Sequence, residues 1–174
     1  ERGLRQFARL CVRRGVTTAT DLANLLPDAA VEMMLRVTGE AGFPARIVSF
    51  RRNYGLAIPD LIARAAELRA RSSDRLRLGG VKLFADGSIQ GFSARLRWPG
   101  YLGGQPNGLW YITPEHLTEA YERALAAGIL VHTHTNGDEA TDLALDCLET
   151  ALHRQAGPDH RFTLQHCQLG DPAQ

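Results

Sequence analysis

The sequence predicts an α/β protein organised around a parallel sheet. Two observations carry that expectation: helical and strand patterns alternate along the whole chain, and five strand patterns are each separated from the next by a helical one. Consecutive strands joined through helices call for crossover connections, which a parallel sheet with right-handed connections supplies. Periodicity does not decide whether such a sheet closes on itself.

Taken in order, Leu4 to Arg14 has a helical pattern that Gly15 stops, and Val16-Thr17-Thr18-Ala19-Thr20 is a β-branched run suited to a strand. Pro27 opens a second helical pattern that closes near Gly42-Phe43-Pro44, and Arg46 to Phe50 is a short strand. From Pro59 to Arg71 the residues Leu61, Ile62, Ala65 and Leu68 share one helical face, after which Gly79-Gly80 leads into the strand Val81 to Ala85. Asp86 to Trp110 is a long irregular stretch, rich in glycine and aromatics, of the kind that usually carries function. Thr113 is a good N-cap with Pro114 behind it, and Gly128 ends that helix. Ile129 to His134 is the next strand, Ala140 to Leu152 repeats at helical spacing, and Arg161 to Cys167 is the last strand.

With 174 residues, 44% of them apolar, the chain can bury a core, and one domain is the expectation. Lys and Arg number 20 against 19 Asp and Glu, so a net charge of +1 gives no electrostatic case for nucleic-acid or anionic-membrane partners; a small-molecule substrate and a homo-oligomer are both compatible with that balance. Cys11, Cys147 and Cys167 form an odd set without C-x-x-C spacing, which disfavours a disulfide framework and fits a reducing, cytoplasmic setting. No apolar run reaches the ~20 residues of a membrane span. Glu1 stands where a Met or a leader would, so a portion of something longer is expected.

The chemistry gathers at strand ends. Lys82 lies in the strand before Asp86-Gly87-Ser88, His134 ends its strand before Asn136-Gly137-Asp138, and His166 ends the last strand before Gln168. In parallel βα proteins, sites are built at this edge. A lone strand histidine is ordinarily a hydrogen-bonded core residue, but two on adjacent strands can converge on one ion. Burying an ammonium is costly, so Lys82 is expected to snorkel, pair or be chemically altered. His132 shares a face with His134, which makes an H-x-H pair one reading, with His134 the stronger single ligand. Asp86 and Asp138 precede or adjoin glycine, where a carboxylate caps backbone amides or steers a ligand's second nitrogen. His116, His153 and His160 have no partner at ligand spacing and are expected at the surface. Ser88 lacks a G-x-S-x-G elbow, and Gly79-Gly80 opens no helix, so serine hydrolysis and a phosphate loop are both disfavoured.

Val81 to Ser88, His134 to Asp138 with Ala140, Asp159-His160-Arg161, and Gln165 to Gln168, in that order, resemble the amidohydrolase superfamily. The similarity is specifically to amidohydrolase family 3, the YtcJ-like group related to N-substituted formamide deformylase, and Gly15-Val16-Thr17-Thr18 extends it over essentially the whole chain. The resemblance implies a (β/α)8 TIM barrel, of which this chain would supply about strands two to six, as a partial barrel. It implies a divalent metal, Zn²⁺ by default, with Lys82 (typically carboxylated by CO₂), His134 and His166 as metal ligands. Such an enzyme hydrolyses C–N bonds of amide or formamide-like, non-peptide substrates through a metal-activated hydroxide. Asp86, Ser88, Arg95, His132, Asn136, Asp138 and Gln168 would then be substrate-facing or support the ligands. The Asp86 to Trp110 stretch, with Arg95, Trp98 and Tyr101, would be a lid or pocket wall.

The family's first-strand H-x-H pair and eighth-strand general-base Asp are not found, and are expected upstream of Glu1 and beyond Gln174. The site is then incomplete in this chain, which alone is expected to hold metal weakly and to be inactive. The alternatives are a non-catalytic α/β fragment or degenerate barrel, or a related amidohydrolase activity such as a deaminase or phosphotriesterase.

Overall fold

The computed structural model describes residues 1–155 and 159–174. Ten elements follow one another: α1 (Arg2–Arg13), β1 (Thr18–Asn24), α2 (Asp28–Thr38), β2 (Arg46–Arg52), α3 (Ile58–Ala70), β3 (Leu76–Phe84), α4 (Pro114–Ala127), β4 (Val131–Thr135), α5 (Asp138–Arg154) and β5 (Thr163–His166). Every strand pair is parallel, and the sheet order is β1-β2-β3-β4-β5. Each strand lies beside its predecessor, so the winding never reverses as it does in a doubly wound sheet. The result is a curled half-barrel with its helices, as the partial-barrel expectation requires. Among the described residues no helix is long and apolar enough to cross a membrane.

Two apolar clusters glue the helices to the outer face of the sheet. Leu61 and Ala65 of α3, Leu117 and Tyr121 of α4, and Ala144 of α5 bury against Val81, Leu83 and Val131. Val31 and Met34 of α2 bury with Ile47, Leu76 and Leu78. Thr133 also faces the helices and meets the Tyr121 hydroxyl at 2.8 Å. Since side chains alternate along a strand, Lys82, Phe84, His132 and His134 must lie on the inner face.

That placement depends on an irregularity in β3. Leu76 and Leu78 point to the helices, yet so do Val81 and Leu83, so the alternation inverts between them. The inversion coincides with a shift in the β2–β3 register, from Val48 opposite Arg77 to Phe50 opposite Gly80. Gly79 sits in the shift with φ +93°, the left-handed region that a bulge residue occupies. The Gly79-Gly80 pair, expected ahead of the strand, therefore lies inside it. The reason is close approach on both sides: a Cβ at Gly79 would lie 2.7 Å from the Ala65 carbonyl and 2.5 Å from Arg69 Cβ, and one at Gly80 would lie 2.2 Å from the Phe50 ring.

The other expected boundaries hold within a few residues. The first strand runs later than Val16–Thr20, and α5 begins at Asp138 instead of Ala140. Thr113 caps α4 by accepting from the His116 amide, and Gly128 ends it at φ +62°. The stretch after β3 has no regular element before α4, but it is tightly knit. The Asn107 side chain bonds both the amide and the carbonyl of Leu96, and the Tyr101 hydroxyl donates to Ala94 O at 3.0 Å.

Gly79→Ala is expected to lower stability by about 3 kcal/mol, since it adds a positive-φ penalty to a clash with α3 backbone. Urea unfolding of the variant checks this, and a change below about 0.5 kcal/mol would show that the bulge is not needed.

Candidate functional site

The C-terminal rim of the inner face is assembled from the ends of β2 to β5. Lys82 pairs in register with Arg52 on one side and His132 on the other. Its side chain is buried, with 3% exposure, and Nζ has no hydrogen-bond partner among the described residues. Nζ lies 5.4 Å from the centre of the Phe84 ring. Burial pushes the ammonium down to about 8. Lys82 does not snorkel.

Asp86, just past β3, is 1% exposed and clamps two strand ends together. Oδ1 accepts from the Asn136 amide at 2.9 Å, and Oδ2 accepts from the amides of Gly137 at 2.8 Å and Arg95 at 3.0 Å. This carboxylate is therefore spoken for by backbone, and its link to the site is His134, whose Nε2 lies 3.6 Å from Oδ1. The stronger partner of His134 is the Gly87 carbonyl, at 2.7 Å from Nε2. A carbonyl can only accept, so Nε2 carries a proton, and in the neutral tautomer this selects, Nδ1 holds the lone pair. Asn136 Nδ2 donates to the same carbonyl at 2.8 Å, and its 3.3 Å approach to Nε2 is the side-by-side distance of two donors.

His166 reaches the rim by breaking the strand pattern. Phe162 and Leu164 face the helices and Gln165 faces inward, so alternation would turn His166 outward. Instead His166 adopts φ +78° and Cys167 φ +43°, and the imidazole stands 4.7 Å from that of His134, edge to face. Left-handed backbone at a non-glycine residue costs about 1–3 kcal/mol and concentrates at functional sites. Cys167 takes the helix-facing place, with Sγ 3.5 Å from Thr135 Oγ1. Burial, then the nearby His134 and Lys82, depress the basicity of His166.

His132 lies deeper on the same face. Gln165 Nε2 donates to its Nδ1 at 2.9 Å, and Phe50 stacks on it with centroids 4.4 Å apart. Burial, then the positive charge of Lys82, depress its basicity too. The remaining sequence candidates are engaged elsewhere. Arg95 donates to Gly108 O and Glu139 and covers Trp110 at 4.8 Å, fastening the loop to α5. Ser88 closes a turn, its Oγ accepting from the Gly91 amide. Asp138 accepts from the amides of Arg97 and Glu139. Gln168 is exposed just beyond β5. A cleft lined by Asn53, Leu56, Trp110 and His116 opens by the starts of α3 and α4, and Lys82, His134 and His166 do not line it.

Arg52 and Gln165 are rim residues that the sequence reading passed over. Extending the alternation of β2 from Phe50 would have exposed the first.

Among the described residues no three His, Cys, Asp or Glu side chains converge to hold a metal ion. The donors at the rim are two imidazoles and one orphaned amine. Two imidazoles this close, one with its tautomer fixed by a backbone carbonyl, fit part of a zinc-type set. An uncharged or carboxylated Lys82 would add a further donor.

The sequence matches the amidohydrolase family over residues 1–174. It is 28% identical over 184 residues to the Arabidopsis thaliana protein LONG AFTER FAR-RED 3, covering 92% of this chain and 29% of that one. Its fold is similar to an uncharacterized metal-dependent hydrolase from Pyrococcus horikoshii OT3, with TM-score 0.64, 23% identity, and coverage of 84% of this chain and 29% of that one. A second such hydrolase, from Pyrococcus furiosus, gives 0.62 and 24%, covering 88% of this chain and 31% of its own. The chain thus spans under a third of the length of each of these proteins.

Asp86→Ala is expected to destabilise the fold by about 3 kcal/mol or more, because three amides lose a charged acceptor in the interior. Chemical denaturation measures it, and a loss under about 1 kcal/mol would contradict the clamp. Lys82 supplies a pH signature. Its folded value of about 8 lies below the ordinary 10.5, so the unfolded chain binds more protons across that window. Its destabilising effect is full below about 8 and fades as pH rises toward 10.5. Lys82→Met should raise the melting temperature at pH 7 and remove that slope, and a variant with an unchanged slope would place the effect elsewhere.

Proposed function

The chain belongs to the amidohydrolase family, and from that premise we propose that it forms part of a metal-dependent hydrolase acting on C–N bonds of small, non-peptide amides or formamides. The observation that carries this reading is His166, held at φ +78° with its ring beside that of His134 at the rim where Lys82 is buried without a hydrogen-bond partner among the described residues. His166 is an exposed strand-end residue, and its left-handed backbone turns the ring toward His134. A YtcJ-like, N-substituted formamide deformylase-like specificity makes formamides the first substrates to assay.

In this reading His134 and His166 hold a divalent metal, Zn²⁺ by the preference of imidazole donors. His134 would use Nδ1, because Nε2 is committed to Gly87 O. Lys82 would join as a carbamate. Burial keeps part of its amine uncharged near neutral pH, and that lone pair can attack CO₂ carbon, forming a C–N bond while nitrogen sheds a proton. The product replaces a costly buried cation with an anionic oxygen donor. A metal bound there lowers the pKa of water and polarises the scissile carbonyl. The chain's own residues position these groups: Asp86 fixes the strand ends, Gly87 O, itself held by Asn136, orients His134, and Gln165 orients His132. A first-strand H-x-H pair and a general-base Asp would come from polypeptide outside these 174 residues.

The rival reading, a non-catalytic α/β module, draws on the lack of three converging acidic, His or Cys side chains among the described residues. Assays on the full natural chain separate the two. Zinc-dependent hydrolysis of N-substituted formamides, stopped by chelation and restored by metal, is expected, with Lys82→Ala at least about a hundredfold lower in kcat/KM. Carbon-13 NMR under labelled CO₂ should show a carbamate signal that the variant lacks. Full activity in Lys82→Ala, or no metal-dependent hydrolysis of any amide, would contradict the proposal. His166→Asn, a residue that tolerates left-handed backbone, should keep stability within about 1 kcal/mol while lowering metal affinity at least about tenfold.

A further inference from the structure

The near-neutral balance of the whole chain conceals an uneven distribution of charge. Residues 1–14 hold five arginines against one glutamate, a local charge of +4 in a chain whose total is +1. Glu1 and Arg5 are used within the fold, Glu1 pairing with Arg36 and Arg5 with Glu40. Arg2, Arg9, Arg13 and Arg14 are exposed and, among the described residues, enter no ion pair. Arg46 opens β2 and Arg75 precedes β3, and both are exposed and equally without an ion pair among the described residues. The Arg46 amide donates to Thr17 O and the Ile47 amide to Arg75 O, so these residues sit side by side at the strand-start edge that α1 leads into. A cleft there is lined by Thr17, Arg46, Asp74 and Arg75, with Asp74 the one carboxylate among the described residues that line it.

The helix that carries most of this charge is also apolar on a side that the fold does not use. Leu4 and Ala8, one turn apart, pack α1 onto the cluster that holds Val31 and Met34, and Cys11 is buried on the same side. Phe7 and Leu10, three residues apart and so neighbours on the helix surface, remain 47% and 56% exposed. Arg14 continues their stripe, and Arg2, Arg9 and Arg13, spaced seven and four apart, form the stripe beside it. Val16, just past the helix, is a further exposed apolar side chain. This mixed surface runs from α1 onto the edge where the strands start, away from the rim where they end. Nucleic acid rewards the arginines but not the exposed Phe and Leu side chains. A bilayer with anionic headgroups rewards both, because guanidiniums sit among phosphates while apolar side chains enter the layer beneath.

We infer that α1, together with Arg46 and Arg75 at the strand-start edge, is a peripheral docking surface for a membrane bearing anionic phospholipids. The helix lies in the interface plane, with Phe7 and Leu10 below the headgroups and the arginines among the phosphates. Attachment of this kind needs charge and apolar insertion together, and it weakens as salt screens the charge. The inference stands apart from the hydrolase reading, since none of these residues belongs to the rim.

Flotation of the full natural chain with phosphatidylcholine vesicles, prepared with and without about 30% phosphatidylserine, is the test. At about 0.05 M salt the protein should partition at least about tenfold more strongly to the anionic vesicles, and about 0.5 M salt should remove most of that preference. The triple variant Arg9→Gln, Arg13→Gln, Arg14→Gln should erase the preference while keeping the melting temperature, since all three side chains are exposed. Lysine at the same three positions should preserve it, because a bilayer surface reads charge and not the guanidinium fork. Phe7→Ala with Leu10→Ala should weaken anionic partitioning at least about fivefold without changing its salt dependence. Equal partitioning to both vesicles, binding to neither, or undiminished binding by the glutamine variant would overturn the inference. Displacement from the anionic vesicles by duplex DNA at equal charge would assign the surface to nucleic acid and overturn it as well.

Discussion

The side of the sheet to which Lys82 points is decided by a bulge at Gly79. Leu76 and Leu78 anchor β3 to α2, and Val81 and Leu83 anchor it to α3 and α4, with the alternation inverted between the two pairs. A regular strand satisfying the first pair would send Lys82 into the helix layer. The extra residue at φ +93° lets both pairs bury outward and turns the lysine inward. Only glycine fits, because the backbone of α3 occupies the space a side chain would need. Packing on the outside of the half-barrel and chemistry on its inside are therefore coupled through one backbone position.

Downstream of the bulge, a second constraint fixes where the strand ends meet. Asp86 accepts from amides of both the loop after β3 and the turn after β4, and the Gly87 carbonyl beside it accepts from His134 Nε2. The loop following β3 is locked in turn to α5 through Arg95 with Glu139 and Arg97 with Asp142. Charge at the rim is lopsided: the carboxylates are consumed in holding backbone and helices, while Arg52 and Lys82 face the inner side. Such a rim suits metal-associated anions better than cations.

Much of this was legible in the sequence. The alternation of helical and strand patterns gave parallel winding, and strand-end positions singled out Lys82, His134 and His166. Three features were not legible, for separable reasons. Gly79-Gly80 reads as a strand opening because glycine is usually punctuation, and its role as a bulge depends on helix α3 lying across it. Capping of backbone amides by Asp86 and Asp138 is legible in their places beside glycine, but spacing does not reveal that Asp86 bridges two loops, or that Ser88 and Arg95 are absorbed by a turn amide and a loop carbonyl. Arg52 is hidden because the strand pattern in the sequence fades at Phe50, two residues short of the rim. His166 was singled out for its place at the strand end, although simple alternation turns it outward; only the left-handed backbone brings it back.

As proposed, Lys82, His134 and His166 face one metal ion at the inner rim. Crystals of the full natural chain grown with zinc, with anomalous diffraction recorded at the zinc edge, test it most directly. A peak is expected about 2.0–2.1 Å from an imidazole nitrogen of His134 and of His166, with Lys82 or its carbamate as a neighbouring donor. A peak elsewhere, or a His166 ring turned to the helix layer, would contradict it.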